Sequence, residues 1–235
     1  MNLEGKNIVL TGGSLGIGKE TAKSLINKGA NVLITGRSQE RLMSVFKKTN
    51  VKIIEFDIGD LDNININAKR CIDLLDNKVD VLINNAGIGV RKSIEELNIN
   101  DFLDVFNVNV FGLSLFTKEI IPLMKKQNSG TIINIGSTAS LKGYKNGSIY
   151  ASSKFAVRCL SQCWQDELRP YNIRVCQVNP SEVTTAFGNP KRVEREELPN
   201  KLTPKEISHA ITSVIQMDDR GFINELNVLA TNPFN

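Results

Sequence analysis

The chain of 235 residues holds one histidine, His209, and that scarcity excludes several chemistries at once. A three-histidine zinc site, an HExxH zinc protease and a two-histidine relay each need more than one residue can supply, and no metal site is expected. His209 lies in TPKEISHAITSVIQ, whose apolar residues recur at helical spacing, so it reads as a histidine on a helix surface or at a core edge. A GxSxG elbow for a serine hydrolase is also missing. No apolar run approaches the ~18 residues needed to span a bilayer. The opening MNLEGKNIVLTGG reaches a strand-like segment before a signal peptide could fit, so a cytoplasmic location without a membrane partner is expected. Cysteines are few: Cys71, Cys159, Cys163 and Cys176 form no CxxC, and Cys159 and Cys163 stand at i, i+4 in an apolar run. All four are expected to be reduced core thiols.

Charge of one sign is lacking too. Lys and Arg number 29 against 25 Asp and Glu, a formal net charge of +4 spread along the chain. Without a basic stripe or finger spacing, no nucleic-acid partner is expected. A hydrophobic content of 41% excludes disorder, and the length suits one domain over residues 1–235 better than two marginal ones.

What is present is a rhythm of short apolar runs alternating with longer amphipathic stretches. Strands are predicted at Asn7–Thr11, Asn31–Thr35, Val51–Phe56, Val79–Asn84, Gly130–Ile135, Ile173–Val178 and Leu226–Leu229. Each is nearly continuously apolar, as strands covered on both faces are. Helices are predicted at Gly16–Lys28, Gln39–Lys48, Leu61–Asn77, Asn100–Gln127, Ser148–Arg169 and Pro204–Gln216. Gly29 after Lys28 reads as a helix stop, Ser38 as an N-cap, and Thr203 before Pro204 as an N-cap with proline at the first helical position. Right-handed crossovers then give an α/β, Rossmann-type, doubly wound parallel seven-stranded sheet with helices on both faces. The stretch at about 186–203 breaks the rhythm with prolines and mixed charge, and reads as a lid or binding loop.

Thr11-Gly12-Gly13-Ser14-Leu15-Gly16-Ile17-Gly18 joins the first strand to the first helix. Gly12 can turn the chain sharply, Gly16 lets backbone N–H groups approach a pyrophosphate, and Gly18 permits close packing. Gly13 to Lys19 also matches GxxxxGK, but Glu20 stands where a P-loop needs a hydroxyl for Mg²⁺. The end of the second strand decides which dinucleotide fits. An acid there would bind the ribose hydroxyls of NAD, whereas this chain has Gly36, then Arg37 and Ser38, which suit the 2′-phosphate of NADP. Asp57, followed by Ile58, ends the third strand and is placed either to accept from an adenine amino group or to cap the next helix. Asn84-Asn85-Ala86-Gly87 closes the fourth strand with small and amide residues that let a cofactor lie close.

Tyr150 alone among the tyrosines has a lysine four residues later, Lys154, on the same helix face, and Ser137 follows the apolar strand Thr131 to Ile135. With these residues the chain resembles the short-chain dehydrogenase/reductase family over essentially its whole length. The motifs that carry the resemblance are TGGSLGIG at 11–18, Asp57, NNAG at 84–87, NVN at 107–109, IGS at 135–137 and YASSK at 150–154, in that order. IINIGSTAS, ITGRSQERL and INELNVLATNP look most like the NADP-dependent 3-hydroxy acid dehydrogenases and 3-ketoacyl reductases of that family.

The resemblance implies NADP(H)-dependent hydride transfer between nicotinamide and a small carbonyl or secondary alcohol, with Tyr150 as general acid/base. Lys154 and the nicotinamide charge should lower the Tyr150 pKa from its free value near ~10. Lys154 would also hold the nicotinamide ribose, Ser137 the substrate oxygen, and Asn109 a water in a proton relay to Lys154. Taken alone, Asn109 reads as a packing or helix-bend residue. After the sixth strand the family usually has Pro-Gly, and this chain has Pro180-Ser181, with Val183 and Thr185 expected to meet the nicotinamide amide. Pocket walls are expected at Ile88 to Arg91, Ser137 to Tyr144 and Phe187, a mixed apolar and basic set. A homodimer or homotetramer through the Ser148–Arg169 helix and its neighbour is implied by the resemblance. The alternative is a catalytically silent NADP-binding regulator of the same fold.

Overall fold

The computed structural model describes residues 1–47, 49–189 and 191–234; Lys48, at the end of the second predicted helix, and Pro190, within the predicted loop, lie outside them. Seven strands form one sheet: β1 (Asn7–Thr11), β2 (Asn31–Gly36), β3 (Lys52–Glu55), β4 (Val81–Asn84), β5 (Gly130–Ile135), β6 (Ile173–Pro180) and β7 (Glu225–Val228). All are parallel, in the order β3-β2-β1-β4-β5-β6-β7. Register and pleat sort the apolar residues into two cores. Ile8, paired with Val32 and Val81, faces the layer of α1 (Gly16–Asn27), α2 (Gln39–Phe46) and α7 (Pro204–Gln216). Val9, paired with Leu33 and Leu82, faces α3 (Ile64–Leu74), α5 (Leu113–Gln127) and α6 (Ser148–Leu168).

The punctuation acts as its chemistry dictates. Gly29 sits at φ +80° beyond α1 and donates to Ile26, a left-handed stop that a side chain would strain. Ser38 Oγ accepts from Arg41 N at 3.2 Å, and Thr203 and Glu206 form a reciprocal capping box ahead of Pro204.

Two helices and a pair of cysteines differ from the sequence reading. The predicted helix over 100–127 is interrupted: α4 (Ile99–Phe106) leads into a π-helical turn, Asn107–Gly112, before α5. Gly112 at that turn lies so close to the Ile58 carbonyl that a Cβ would collide with it. The widened turn keeps Val110 and Leu113 buried, so the apolar pattern runs through the break without revealing it. The 61–77 helix begins as a 3₁₀ turn and ends at Leu74, with Asp76 and Asn77 left-handed. Cys71 and Cys176 are buried, but Cys159 and Cys163 are exposed, which corrects the expectation of four core thiols. On α6 the buried positions Val157 and Ser161 precede each of these cysteines by two residues, about 200° around the helix, so the pair faces outward.

Candidate active site

The sheet order reverses between β1 and β4, where connections leave to opposite sides and open a crevice beyond the strand ends. A cleft of about 1140 Å³ occupies it, larger than the ~300–1,000 Å³ of an ordinary small-molecule pocket. Gly12 turns at φ +72°, and Gly18 packs so closely under the Gly12 carbonyl that no Cβ fits. Asn85 Nδ2 donates to the carbonyls of Thr11 and Gly12 at 3.0 Å each, while Thr11 Oγ1 accepts from Asn85 N and Ala86 N at 3.1 Å. Asn85 thus ties the end of β4 to the glycine loop. The residue before α1, Leu15, provides no side-chain cap, and no acid occupies the first turn, so no side chain from the helix's own flank meets the N–H groups at its start.

At the far end of the cleft stand Arg37, Ser38, Arg41, Asp57 and, from the loop after β6, Arg192. Arg37 and Asp57 approach to 3.9 Å with both side chains about half exposed. Of the two roles expected for Asp57, helix capping is not what the structure has: Oδ1 accepts from Gly59 N at 2.9 Å and closes a local turn.

At the near end, Ser137 follows β5, and Tyr150 and Lys154 project from the first turns of α6. The Ser137 hydroxyl neighbours that of Tyr150 and favours its ionised form. Burial pushes Tyr150 up to about 12, against which Ser137 and Arg91 pull down only partly, so the protein's own charges do not produce the lowered value expected. Lys154 gives the reason. Its Nζ donates to the Ile135 carbonyl at 2.7 Å and lies 5.9 Å from the tyrosine ring centre, and burial holds it down to about 8. Asn109, in the π-helical turn, accepts from Ile88 N and donates to Ile88 O, both at 2.9 Å, and donates to Ser153 Oγ at 3.0 Å. It braces the segment after Gly87 against α6. Ser181 is not left-handed and donates to Val228 O at 2.8 Å, so serine in place of glycine carries no backbone strain. Val183 bridges to Leu202, and Thr185 packs against Gly16. Lining residues also include Ser14, Ile17, Ile58, Gly87 and Pro180.

Sequence reasoning missed a buried polar chain behind Ser137. Asn84 Nδ2 donates to Asn134 Oδ1, Asn134 Nδ2 to Ser161 Oγ, Ser161 Oγ to Gln177 Oε1, and Gln177 Nε2 to Asn179 Oδ1, over 2.7–3.2 Å. Asn179 Oδ1 also accepts from Ser137 N at 3.2 Å, which fixes where the serine points. The signal was available: an amide residue interrupts the apolar run near the end of β4, β5 and β6, and a buried amide needs a partner. Phe187, whose ring stands 5.4 Å from that of Tyr150, closes the cleft from the loop side.

The doubly wound sheet thus brings a glycine cradle, an arginine cluster and a Ser–Tyr–Lys group to one cleft. The profile of the short chain dehydrogenase family matches residues 6–196, and the chain belongs to that family. It is 30% identical over 238 residues to an uncharacterised oxidoreductase of Staphylococcus saprophyticus, covering 97% of this chain and 98% of that protein. It is 30% identical over 227 residues to an NADP-dependent 3-hydroxy acid dehydrogenase of Schizosaccharomyces pombe, covering 89% and 86%. Its fold is similar to that of an alcohol dehydrogenase from the archaeon Thermococcus sibiricus complexed with 5-hydroxy-NADP, with a TM-score of 0.89, 26% identity and 97% of each chain covered. Members of this family bind a nicotinamide cofactor and act on small molecules. Among the described residues no helix is long and apolar enough to cross a membrane.

Proposed function

We propose that the chain is an NADP(H)-dependent oxidoreductase that interconverts a ketone or aldehyde and the corresponding alcohol, with Tyr150 as the proton donor and acceptor. The observation that carries this reading is the neighbouring Ser137 and Tyr150 hydroxyls beside a buried Lys154, at one end of a cleft whose other end carries Arg37, Arg41 and Arg192. The cradle of Gly12 and Gly18 and the start of α1, which its own flank leaves uncapped, fit a pyrophosphate, and the arginines fit a 2′-phosphate. When bound, the nicotinamide supplies or accepts the hydride.

The rest is the work of side chains. With its pKa near 12, Tyr150 is protonated at neutral pH, the form needed to give a proton to a carbonyl oxygen during reduction. Ser137 donates to the same oxygen and stabilises charge as it develops. In the reverse direction Tyr150 must lose its proton, which Ser137 and Arg91 favour only weakly against burial. Lys154 holds the nicotinamide ribose. Asn109 acts as a positioning residue for Ile88 and α6, and a relay water would sit beyond the contacts it already makes. The 186–203 segment is the substrate lid, with Phe187 over Tyr150. A homo-oligomer forms through the outer face of α5 and α6; exposed Leu115 and Phe155, with Phe111 of the π-helical turn, support it.

The test is NADPH consumption with a panel of ketones, keto acids and ketoacyl thioesters, for the wild type and Tyr150→Phe. Turnover by the wild type and its loss in Tyr150→Phe, with NADPH binding intact, is the expected result. NADPH binding without turnover on any carbonyl would replace the enzyme by a silent regulator.

A further inference from the structure

The start of α1, where Gly16 lines the cleft, holds an anion that belongs to the chain. Glu194, in the loop after β6, accepts from Gly16 N at 3.0 Å through Oε1 and from Lys19 Nζ at 2.8 Å through both carboxylate oxygens. Gly16 opens α1, where Leu15 offers no cap, so Glu194 is the acceptor for a helix start that otherwise has none from its own flank. Lys19 beside it holds the Glu194 carboxyl below the ordinary range, so the group stays charged at neutral pH. The contact joins residues 178 positions apart and ties the loop to Gly16, which lines the cleft. Two residues earlier, Arg192 lines the same cleft beside Arg37 and Arg41. The loop therefore places a cation among the arginines expected at a 2′-phosphate and an anion at the start of α1.

We propose that Glu194 is a cofactor-site residue that competes with the dinucleotide: its carboxylate occupies the pyrophosphate position on Gly16 N–H and Lys19, and cofactor binding displaces it and unlatches the loop from α1. This rests on the reading of the cleft as a dinucleotide site. One N–H group and one ammonium cannot serve both a buried pyrophosphate and a carboxylate at hydrogen-bonding distance, because the two anions would stand in contact and repel. Removing the Glu194 charge removes the competitor.

The experiment is equilibrium binding by calorimetry of NADPH, ADP-ribose and 2′-AMP to the wild type, Glu194→Gln and Glu196→Gln. ADP-ribose carries the pyrophosphate, and 2′-AMP carries the adenosine 2′-phosphate without it. A partly exposed ion pair and one helix-terminal bond correspond to tightening by about fivefold. Glu194→Gln is expected to bind NADPH and ADP-ribose tighter by that factor and 2′-AMP unchanged, with Glu196→Gln, the same charge change on a neighbouring exposed residue, like the wild type. Unchanged or weaker ADP-ribose binding in Glu194→Gln overturns the proposal. So does equal tightening of all three ligands, or the same gain in Glu196→Gln, since either would be a general charge effect. A wild type that binds neither NADPH nor ADP-ribose overturns the dinucleotide reading itself.

Discussion

Lys154 is an ammonium carried on a buried face of α6, and it should cost the fold stability in a way that pH exposes. Burial holds it down to about 8 from an ordinary 10.5. In the unfolded chain it titrates at its free value, so between the two the unfolded state binds more protons, and stability rises with pH. Below about 8 the penalty is complete; above about 10.5 it is gone. The fall from 10.5 to about 8, at about 1.4 kcal/mol for each tenfold change, amounts to about 3 kcal/mol, of which about 2 is recovered between about pH 7 and pH 9.5. Other groups oppose this. Cys71, Cys176 and Tyr150 are each raised to about 12 by burial, so they ionise first in the unfolded chain and pull stability down as pH rises.

The informative quantity is therefore the difference between the wild type and Lys154→Met, which fills similar space without a titrating group. Loss of the Nζ bond to Ile135 O shifts the variant by about 1 kcal/mol at every pH and leaves no slope. Urea unfolding of both proteins at about pH 7 and pH 9.5, read as midpoints, should show the wild type gaining on the variant by about 0.7 M for a slope near 3 kcal/mol/M. Parallel pH profiles would refute the reasoning, because a lysine that titrates alike in both states contributes nothing to the dependence.

Three further outcomes follow from the geometry. Arg37→Asp should weaken NADPH binding by about 10- to 100-fold through loss of a charge-assisted contact and shift preference toward NADH; an unchanged ratio of the two dissociation constants would remove Arg37 from the 2′-phosphate site. Gly18→Ala should lower stability by about 1–3 kcal/mol, because the new Cβ meets the Gly12 carbonyl and Asn85 Nδ2, and should weaken NADPH binding with it; a melting temperature equal to the wild type would contradict the packing. In native conditions Cys159 and Cys163 should react with a thiol reagent at once, and Cys71 and Cys176 only on unfolding; rapid reaction of all four would contradict their burial.

The strands were readable because a parallel sheet covered on both faces needs continuous apolar runs, and Asn7–Thr11 and Gly130–Ile135 have the predicted bounds. Where the reading stopped short, a buried polar residue was responsible. β6 runs past Val178 to Pro180, with Asn179 inside it, because an amide that joins a hydrogen-bonded chain is as compatible with the core as an apolar side chain. Periodicity has a matching blind spot: a π-helical turn restores the apolar face after its extra residue, so residues 107–112 look helical throughout, and Cys159 and Cys163 look like core because their i, i+4 spacing marks a face without saying which way it points.

The site divides along the same line. Residue types at motif spacing located Ser137, Tyr150 and Lys154, since strand end and helix face place them by local geometry alone. What each group bonds to was not readable, because the partner lies elsewhere in the chain: Ile135 O for Lys154, Asn179 for Ser137 N, Glu194 for Gly16. Those partners decide the chemistry. Burial, with the Lys154 ammonium turned to the Ile135 carbonyl, leaves Tyr150 protonated, and a Glu194 carboxylate on α1 would make cofactor affinity a difference between two anions rather than the strength of one.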